Sequence, residues 1–341
     1  MKFLILAGGK GTRLWPISTD DSPKQFHSFK GEKTLIQLAY ERIKPLCKLE
    51  DIFISSNLNY KEILEKQFPN LPKENFIYEP LRKDTAPCIA YSMKYIQSKT
   101  SEDDTVSIIY ADHLIQNVLE FQNALVKANE VAQKDNKFLI IEVKAKFANP
   151  NLGYAKINKL IKEEDEFSIY ELDHFTEKPD QQTANEYLKS YKYLWNTGYY
   201  VWKISHFFEE LKNHAPEIYN AAENITSFPC KEEEYDKFPK ISLDYAIIEK
   251  MNPKDIWIIP SDLGWSDIGT WQSLFHELKQ EDNFIEGNVG DLNVNNSLII
   301  NKNQEIRINA ININNLAVVL TEKELLVCDL NSDNLLKKYL N

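Results

Sequence analysis

The sequence is short of glycine and cysteine and has no long apolar run. Ten glycines in 341 residues are well under the usual share of about 7%, so each motif that keeps glycines is informative. The four cysteines, Cys47, Cys88, Cys230 and Cys328, lack CxxC or Cys/His metal spacing, and we expect them to be reduced thiols. No run approaches the roughly 20 apolar residues of a membrane span. These shortages argue against a disulfide-stabilised secreted domain and against a helical membrane protein.

Basic residues are outnumbered as well. Forty Lys and Arg against 51 Asp and Glu give a net charge of −11, so a surface for nucleic acid or an anionic membrane is not expected. A phosphate ligand would have to be bound by a local cluster. The N-terminal apolar run is followed by Gly-Lys-Gly-Thr-Arg, where a signal peptide would need a longer apolar region and a cleavage site. We therefore expect a cytoplasmic protein without nucleic-acid or membrane partners.

Short apolar runs alternate with helical patterns in the first half of the chain. The apolar runs are residues 2–7, 51–56, 75–78, 105–110 and 137–142, and the helical patterns are 34–46, 87–98 and 120–134. This alternation predicts an α/β fold of Rossmann-like type, with a mostly parallel sheet and helices on both faces.

The second half is more mixed. β-rich stretches at 154–161, 167–175 and 195–204 are followed by helical patterns at 206–224 and 243–250, a strand at 256–259 and a helix from about Trp271. After Gly287 the apolar runs become short and are separated by asparagines. We predict a catalytic domain at 1–286 and a small C-terminal β domain at 287–341, built of a few solenoid-like turns.

A glycine-rich loop follows the first predicted strand. It reads Leu6-Ala7-Gly8-Gly9-Lys10-Gly11-Thr12-Arg13. Glycines let backbone N–H groups approach a phosphate or base closely, and an arginine adds a bidentate anion clamp. The spacing fits neither the Walker A loop nor the dinucleotide fingerprint. Taken alone, the loop suits a phosphate ligand or an ordinary tight turn.

The residues that follow this loop carry a family resemblance. Leu14-Trp15-Pro16 and Pro23-Lys24-Gln25-Phe26 complete a segment that resembles the signature of sugar-1-phosphate nucleotidyltransferases, in the version of their mannose-1-phosphate guanylyltransferase branch. In that family the segment holds the nucleotide and its β- and γ-phosphates. The resemblance implies nucleotide-binding roles for Leu6, Ala7, Gly8, Gly9, Gly11, Thr12, Arg13 and Lys24.

The segment from Tyr78 to Pro87 resembles the family's base-recognition motif. The implied contacts are Glu79, Thr85, Ala86 and Pro87. The chain departs from the motif at Asp84, where asparagine is usual, and an ionised Asp cannot donate an amide hydrogen bond. Read without the family, Asp84 or Thr85 is an N-cap for the next helix.

Two aspartates follow predicted strands in motifs that the family also has. Asp112 stands in Ala111-Asp112-His113, and Asp267 stands in the segment from Gly264 to Trp271. The resemblance implies that Asp112, which also contacts the nucleotide, and Asp267 hold Mg²⁺, a cation that prefers oxygen ligands. An isolated aspartate at such a place is more often a turn or cap residue.

A further set of motifs resembles the family's sugar-phosphate site. It comprises Gly153, Glu177, Lys178, Asn196 and Gly198, with Glu177 and Asn196 on the hydroxyls and Lys178 on the phosphate. Ala155-Lys156 replaces the usual glycine and aromatic residue. Asp244 and Tyr245 are taken as structural or substrate-lining residues.

The resemblance implies transfer of GMP from GTP to α-D-mannose 1-phosphate, with Arg13, Lys24, Asp112, Asp267 and Lys178 as the catalytic group. Three alternatives stay open: another sugar such as a manno-heptose, another nucleoside triphosphate, or a catalytically silent sugar-nucleotide regulator. A nicotinamide oxidoreductase is disfavoured because the dinucleotide fingerprint fails. A homodimer also stays open. Longer family members carry an isomerase domain, and we expect this chain to be the short, single-function form.

Overall fold

The computed structural model describes residues 1–9, 11–29 and 31–340, which pack into two units. The first unit comprises residues 1–8, 39–111 and 115–265. The second comprises the described residues within 9–38, 112–114 and 266–341. Packing therefore groups most of the glycine-rich segment with the C-terminal β region. The boundary between residues 286 and 287, placed where the sequence pattern changes, stays a prediction.

A nine-stranded sheet forms the centre of the first unit. The strands up to residue 266 are β1 (Lys2–Leu6), β2 (Ile52–Asn57), β3 (Phe76–Glu79), β4 (Thr105–Tyr110), β5 (Leu114–Ile115), β6 (Phe138–Lys144), β7 (Tyr154–Glu164), β8 (Phe167–Thr176), β9 (Tyr193–Lys203), β10 (Ile256–Pro260) and β11 (Trp265–Ser266). The sheet order is β3-β2-β1-β4-β9-β6-β10-β8-β7. Only β8 and β9 run against the other seven strands. The predicted mostly parallel α/β fold is confirmed.

Helices accompany this sheet. Those up to residue 235 are α1 (Leu35–Ile43), α2 (Lys61–Gln67), α3 (Thr85–Gln97), α4 (Val118–Asp135), α5 (Gln181–Ser190), α6 (Ile204–His214), α7 (Pro216–Glu223) and α8 (Glu232–Tyr235). Strands β1 and β2 are buried along almost their whole length, as expected for strands covered on both faces. The carboxyl ends of β1, β2 and β4 lie together, since Leu6 pairs with Ser55 and with Tyr110.

Two of the predicted helices differ from the structure. The pattern over 206–224 forms two helices, because Pro216 lacks a backbone N–H and begins a new helix after Ala215. The pattern over 243–250 forms a π-helical turn, Asp244–Ile248. Local departures of this kind are frequent at functional sites.

Solenoid-like turns form the C-terminal β region of the second unit. Its remaining elements are α9 (Trp271–Leu278), β12 (Phe284–Glu286), β13 (Val289–Asn295), β14 (Leu298–Asn301), β15 (Ile308–Asn314), β16 (Leu316–Leu320), β17 (Leu325–Asp329) and α10 (Asp333–Leu340). The pairs β12–β14, β14–β16 and β13–β15 are parallel. Asn296 donates a 2.9 Å side-chain hydrogen bond to Asn315, 19 residues further on. The C-terminal β region is thus confirmed, with successive turns that stack asparagine on asparagine.

The segment after the glycine loop belongs to the core of this second unit. Leu14 and Ile17 are buried in one cluster with Trp271, Leu298 and Leu336. The indole Nε1 of Trp271 also donates a 3.1 Å hydrogen bond to the backbone oxygen of Trp15. Helix α9 and the solenoid therefore fix the conformation of the Arg-Leu-Trp-Pro segment.

No helix in the described ranges is both long enough and apolar enough to cross a membrane.

Candidate active site

The chain leaves β1 through Leu6 and Ala7, whose backbone is held by the neighbouring strand. Ala7 N donates to Ser55 O at 2.8 Å, and Ser56 Oγ donates to Ala7 O at 2.9 Å. Gly8 then passes close to Glu79, since a Cβ on Gly8 would lie 3.3 Å from Glu79 Oε1. The first unit therefore brings Gly8 and Glu79 together, as the predicted nucleotide site requires.

The rest of the glycine loop lies in the second unit. Gly11 has a φ of 62°, and a Cβ there would come within 2.7 Å of Lys24 Cγ. Gln25 Nε2 donates to Gly9 O at 3.0 Å. Arg13 is exposed, as a residue that binds an incoming anion would be. Lys10 and the Thr12 side chain lie outside the described part of the chain.

Lys24 is a buried lysine that contacts both of the aspartates predicted to bind the metal. Only 7% of it is exposed. Its Nζ lies 2.9 Å from Asp112 Oδ2 and donates to the backbone oxygens of Asp267 at 2.9 Å and Ile268 at 3.3 Å. The two aspartates are about 155 positions apart in the sequence, and the fold brings both to one ammonium group.

The two aspartates differ in their surroundings. Burial alone would raise the pKa of Asp112, but the Lys24 ammonium, with a smaller effect from His113, lowers it below the usual value. Asp267 Oδ1 accepts from Gly269 N at 3.2 Å. A Cβ on Gly269 would lie 2.6 Å from Asp267 Oδ2 and 3.4 Å from Arg13 Nη1, so this glycine leaves room where the two charged groups converge.

The donor chemistry at Asp112 and Asp267 fits Mg²⁺. No group of three or more Asp, Glu, His or Cys side chains within the described ranges is arranged to hold a metal by itself. Mg²⁺ in nucleotide sites is usually bound by one or two carboxylates, with waters and substrate phosphates as the remaining ligands. Two carboxylates are thus sufficient, and the metal role stays a prediction.

Glu79, the predicted base contact, is a buried acid. Burial raises its pKa to about 7, although the hydrogen bond that Tyr235 donates to Oε2 partly opposes the rise. Sequence reasoning missed Tyr235, which follows three glutamates in α8 and carries no family motif. A carboxyl group that ionises near pH 7 therefore lies beside Gly8.

The other predicted base residues begin α3. Asp84 is the N-cap, as predicted, and accepts from Thr85 N at 2.8 Å with a φ of 72°. Thr85 Oγ1 accepts from Leu243 N at 2.9 Å. Ala86 and Pro87 are buried. Thr85 thus also ties this turn to the Ser242–Ala246 segment.

The five predicted sugar residues lie together in the first unit. Asn196 N donates to Gly153 O at 2.8 Å, and a Cβ on Gly153 would lie 2.5 Å from Glu177 Oε2. Lys178 Nζ donates to Glu177 Oε1 at 2.6 Å, and Gly198 N donates to Asn196 Oδ1 at 2.9 Å. Two loops, after β6 and after β8, and a bulge within β9 therefore form one polar cluster.

The structure adds three residues to this cluster. Asn196 Nδ2 donates to Asp244 Oδ1 at 3.0 Å, and Tyr200 donates to the same oxygen. Glu142 is completely buried and accepts from Thr197 N at 2.8 Å. Burial, and then the Asp244 carboxylate, raise the pKa of Glu177 to about 7. The sequence did contain a sign that Glu142 is special, because this acidic residue ends the apolar run at 137–142.

The sequence of this chain is similar to a described protein family and to several named proteins. Residues 2–283 match the family described as Nucleotidyl transferase. The chain is 34% identical over 288 residues to mannose-1-phosphate guanylyltransferase RfbM of Salmonella typhimurium, covering 81% of this chain and 58% of that protein. It is 35% identical over 299 residues to a putative mannose-1-phosphate guanylyltransferase of Vibrio cholerae, covering 84% and 61%. The chain thus spans about three fifths of the length of these relatives.

Solved structures agree on the fold. A Thermus thermophilus protein, described as a mannose-1-phosphate geranyltransferase, superposes with a TM-score of 0.87 at 23% identity, covering 99% of this chain and 98% of that one. A UDP-glucose pyrophosphorylase complexed with UDP-glucose has a TM-score of 0.51 at 18% identity, covering 80% and 95%. The match over residues 2–283 shows that the chain belongs to the Nucleotidyl transferase family.

Proposed function

We propose that this protein transfers GMP from GTP to α-D-mannose 1-phosphate, giving GDP-mannose and pyrophosphate. The observation that carries the proposal is the convergence of Asp112 and Asp267 on the buried Lys24 ammonium. The names of the Salmonella and Vibrio relatives support the choice of sugar and base.

The nucleophile needs no general base. A sugar 1-phosphate is a phosphate monoester with a second pKa near 6, so at pH 7 it is mostly a dianion. One of its oxygens attacks the α-phosphorus of GTP, a new P–O bond forms, and the bond to the β-phosphate oxygen breaks to release pyrophosphate. Catalysis then requires alignment of the two phosphates and neutralisation of charge.

Arg13 and Lys24 supply that neutralisation at the leaving group. Arg13 is exposed and can close on an incoming phosphate, whereas Lys24 is already held in place by Asp112 and the Asp267 backbone. A buried ammonium exerts a stronger field than one in water, because the surrounding dielectric is low. Lys24 therefore stabilises charge that develops on the departing pyrophosphate.

Asp112 and Asp267 would hold Mg²⁺. When bound there, the metal supplies further neutralisation of phosphate charge. The lowered pKa of Asp112 keeps this carboxylate ionised and ready to bind a cation at neutral pH.

The sugar cluster supplies orientation. Asn196 and Glu177 offer an amide and a carboxyl group to sugar hydroxyls, and Lys178, which is exposed, offers an ammonium to the sugar phosphate. Lys178 would exchange its contact with Glu177 for the phosphate and align the nucleophile.

Glu79 suits guanine. An ionised carboxylate accepts hydrogen bonds only, and guanine offers N–H donors at N1 and N2, which the corresponding positions of adenine lack. Because Glu79 changes charge near pH 7, binding a base that donates to it favours its ionised form.

A pyrophosphate-release assay tests the proposal. Four nucleoside triphosphates are each combined with mannose, glucose and manno-heptose 1-phosphates. We expect the highest kcat/KM for GTP with mannose 1-phosphate. A higher value for heptose, or for another triphosphate, would establish one of the substrate alternatives that the departures at Asp84 and Ala155-Lys156 leave open. Absence of turnover in every combination would favour the silent regulator.

A further inference from the structure

A buried carboxyl group that forms no ion pair with any described residue lies beneath the proposed sugar site. Glu142, in the second half of β6, has no exposed surface. Its Oε2 accepts from Thr197 N at 2.8 Å, and its Oε1 has no hydrogen-bond partner among the described residues. A buried ionised carboxylate normally requires a cation or several donors, and Glu142 has one backbone donor.

The acidic groups around Glu142 act against its ionisation. Burial raises its pKa well above the usual value, the Thr197 N–H opposes this, and Asp244 and Glu177 raise it further. Tyr200, on β9, also faces these carboxyl groups and donates to Asp244. Lys178 contacts the cluster through Glu177 Oε1. Burial and the neighbouring carboxyl groups therefore both favour the neutral form of Glu142.

Glu142 also holds the bulge of β9 that carries Asn196. Thr197 is fixed to β6 twice, by its N–H on Glu142 and by its Oγ1, which donates to Ile141 O at 2.5 Å. Gly198 N then donates back to Asn196 Oδ1, and the Asn196 amide is directed by Asp244. A chain of contacts thus runs from Glu142 through Thr197 to the proposed sugar ligand Asn196.

We propose that Glu142 is a positioning residue of the sugar-phosphate site, holding the Asn196–Gly198 bulge of β9 through a carboxyl group that must stay neutral beside the sugar phosphate. The inference rests on the proposed function. A sugar phosphate brings a charge of about −1.5 to −2, and Asp244 and Glu177 already stand in the cluster. A third ionised acid would repel the substrate. A neutral acid keeps the hydrogen bond to Thr197 without that repulsion.

Two substitutions separate the hydrogen bond from the charge. Glu142→Gln keeps an acceptor for Thr197 N and stays neutral at every pH, so kcat and both KM values at pH 7 should remain within about twofold of the wild type. At alkaline pH the wild type should lose affinity for mannose 1-phosphate, and the Gln variant should lose less. Glu142→Ala leaves the Thr197 N–H without its acceptor and should raise the KM for the sugar phosphate about tenfold or more, with the KM for GTP unchanged.

An infrared measurement tests the protonation state without any assay of activity. At pH 7 the wild type should show the carbonyl-stretch band of a protonated carboxyl group that Glu142→Gln lacks, so the band should appear in the difference between the two spectra. The matched control is Glu171→Gln, which removes another buried acid, 3.5 Å from Lys159 and outside the cluster. This control should keep the band.

Three results would overturn the inference. The first is an infrared band that Glu142→Gln leaves unchanged. The second is a KM for the sugar phosphate that rises as much in Glu142→Gln as in Glu142→Ala. The third is a KM for GTP that rises in Glu142→Ala as much as the KM for the sugar phosphate. If the wild type forms no nucleotide sugar with any substrate pair, the proposed function fails and the positioning role fails with it. The infrared comparison would then still establish whether Glu142 is neutral, so the two failures are distinguishable.

Discussion

At the scale of single residues, Lys24 organises the phosphate half of the proposed chemistry. Its ammonium is buried and lies 2.9 Å from both Asp112 Oδ2 and the backbone oxygen of Asp267. Family resemblance assigns Lys24 to phosphates and the two aspartates to a metal. The structure adds that these three residues form one hydrogen-bonded group, so a change in any of them is expected to affect the other two.

Replacing either aspartate tests the metal assignment. Asp112→Asn and Asp267→Asn each remove one negative charge and keep the shape of the side chain. We expect kcat for pyrophosphate release to fall at least about hundredfold in each, because the Mg²⁺ that neutralises the reacting phosphates is lost. Asp291→Asn, at an exposed position of β13, is the control and should match the wild type. Near-normal Mg²⁺-dependent turnover in both variants, with unchanged thermal unfolding, would show that the metal is held elsewhere.

Gly11 and Gly31 form a matched pair for testing the glycine loop. Both have positive φ values, 62° and 74°, but only a Cβ on Gly11 would collide with Lys24, whereas nothing lies within 4 Å of one on Gly31. Gly31→Ala should cost about 1 kcal/mol of unfolding free energy from backbone strain alone. Gly11→Ala should cost more, about 2–3 kcal/mol, and should raise the KM for GTP. If urea unfolding shows the same loss of unfolding free energy for both variants, the aliphatic part of the Lys24 side chain moves aside at no cost in stability.

Glu79 should make stability depend on pH. Because its folded pKa is raised from 4.5 to about 7, the acid favours folding below about pH 4.5, and that contribution is lost as the pH rises through 7. The loss amounts to about 3 kcal/mol as an upper value. Glu79→Gln lacks this titration, so its unfolding free energy relative to the wild type should increase between pH 4.5 and 8. Glu233→Gln, an exposed neighbour of Tyr235, should give a constant difference. The same constancy for Glu79→Gln would mean that Glu79 is ionised throughout.

At the scale of elements, many strands were predictable from their apolar residues, whereas two strands rich in asparagine were not. The runs at 105–110 and 167–175 correspond closely to β4 and β8. Strands β13 and β15 were missed because asparagines interrupt them and most of their side chains are exposed. Their pairing is stabilised by asparagine side-chain contacts between turns, which local hydrophobic periodicity does not reveal.

Helix α10 offers an element-scale test of how the glycine segment is supported. Leu336 is buried in one cluster with Leu14, whereas the adjacent Leu335 is 69% exposed. Leu336→Ala should lower the unfolding free energy by about 2–4 kcal/mol and raise the KM for GTP, because Leu14 directly follows Arg13. Leu335→Ala should change stability by no more than about 0.5 kcal/mol. If both substitutions behave alike in urea unfolding, α10 does not support the loop segment.

At the scale of the whole molecule, the order of motifs was enough to predict the family and the main fold. The predicted sugar residues could be named because each belongs to a recognisable motif. The structure places all five in one cluster of the first unit. Glu142 and Tyr235 were not predicted, because their roles come from neighbours 55 and 156 positions away that only the fold brings close. The grouping of residues 9–38 with the C-terminal β region was also beyond sequence patterns, since it depends on Trp271 and Leu298 packing against Leu14.

Net charge at this scale also agrees with a locally bound phosphate. The chain carries −11 overall, so long-range attraction does not recruit an anionic substrate. Arg13, Lys24 and Lys178 must supply the attraction at short range. Cytoplasmic location and dimerisation stay predictions.

An isotope-transfer experiment tests the proposed reaction most directly. Mannose 1-phosphate with ¹⁸O in its three non-bridging phosphate oxygens is incubated with GTP, Mg²⁺ and the protein, and both products are weighed by mass spectrometry. Attack of the sugar phosphate on the α-phosphorus predicts GDP-mannose that carries all three labels and pyrophosphate that carries none, with no product from Asp112→Asn under the same conditions. Label in the pyrophosphate, or no GDP-mannose from the wild type, would contradict the proposed function.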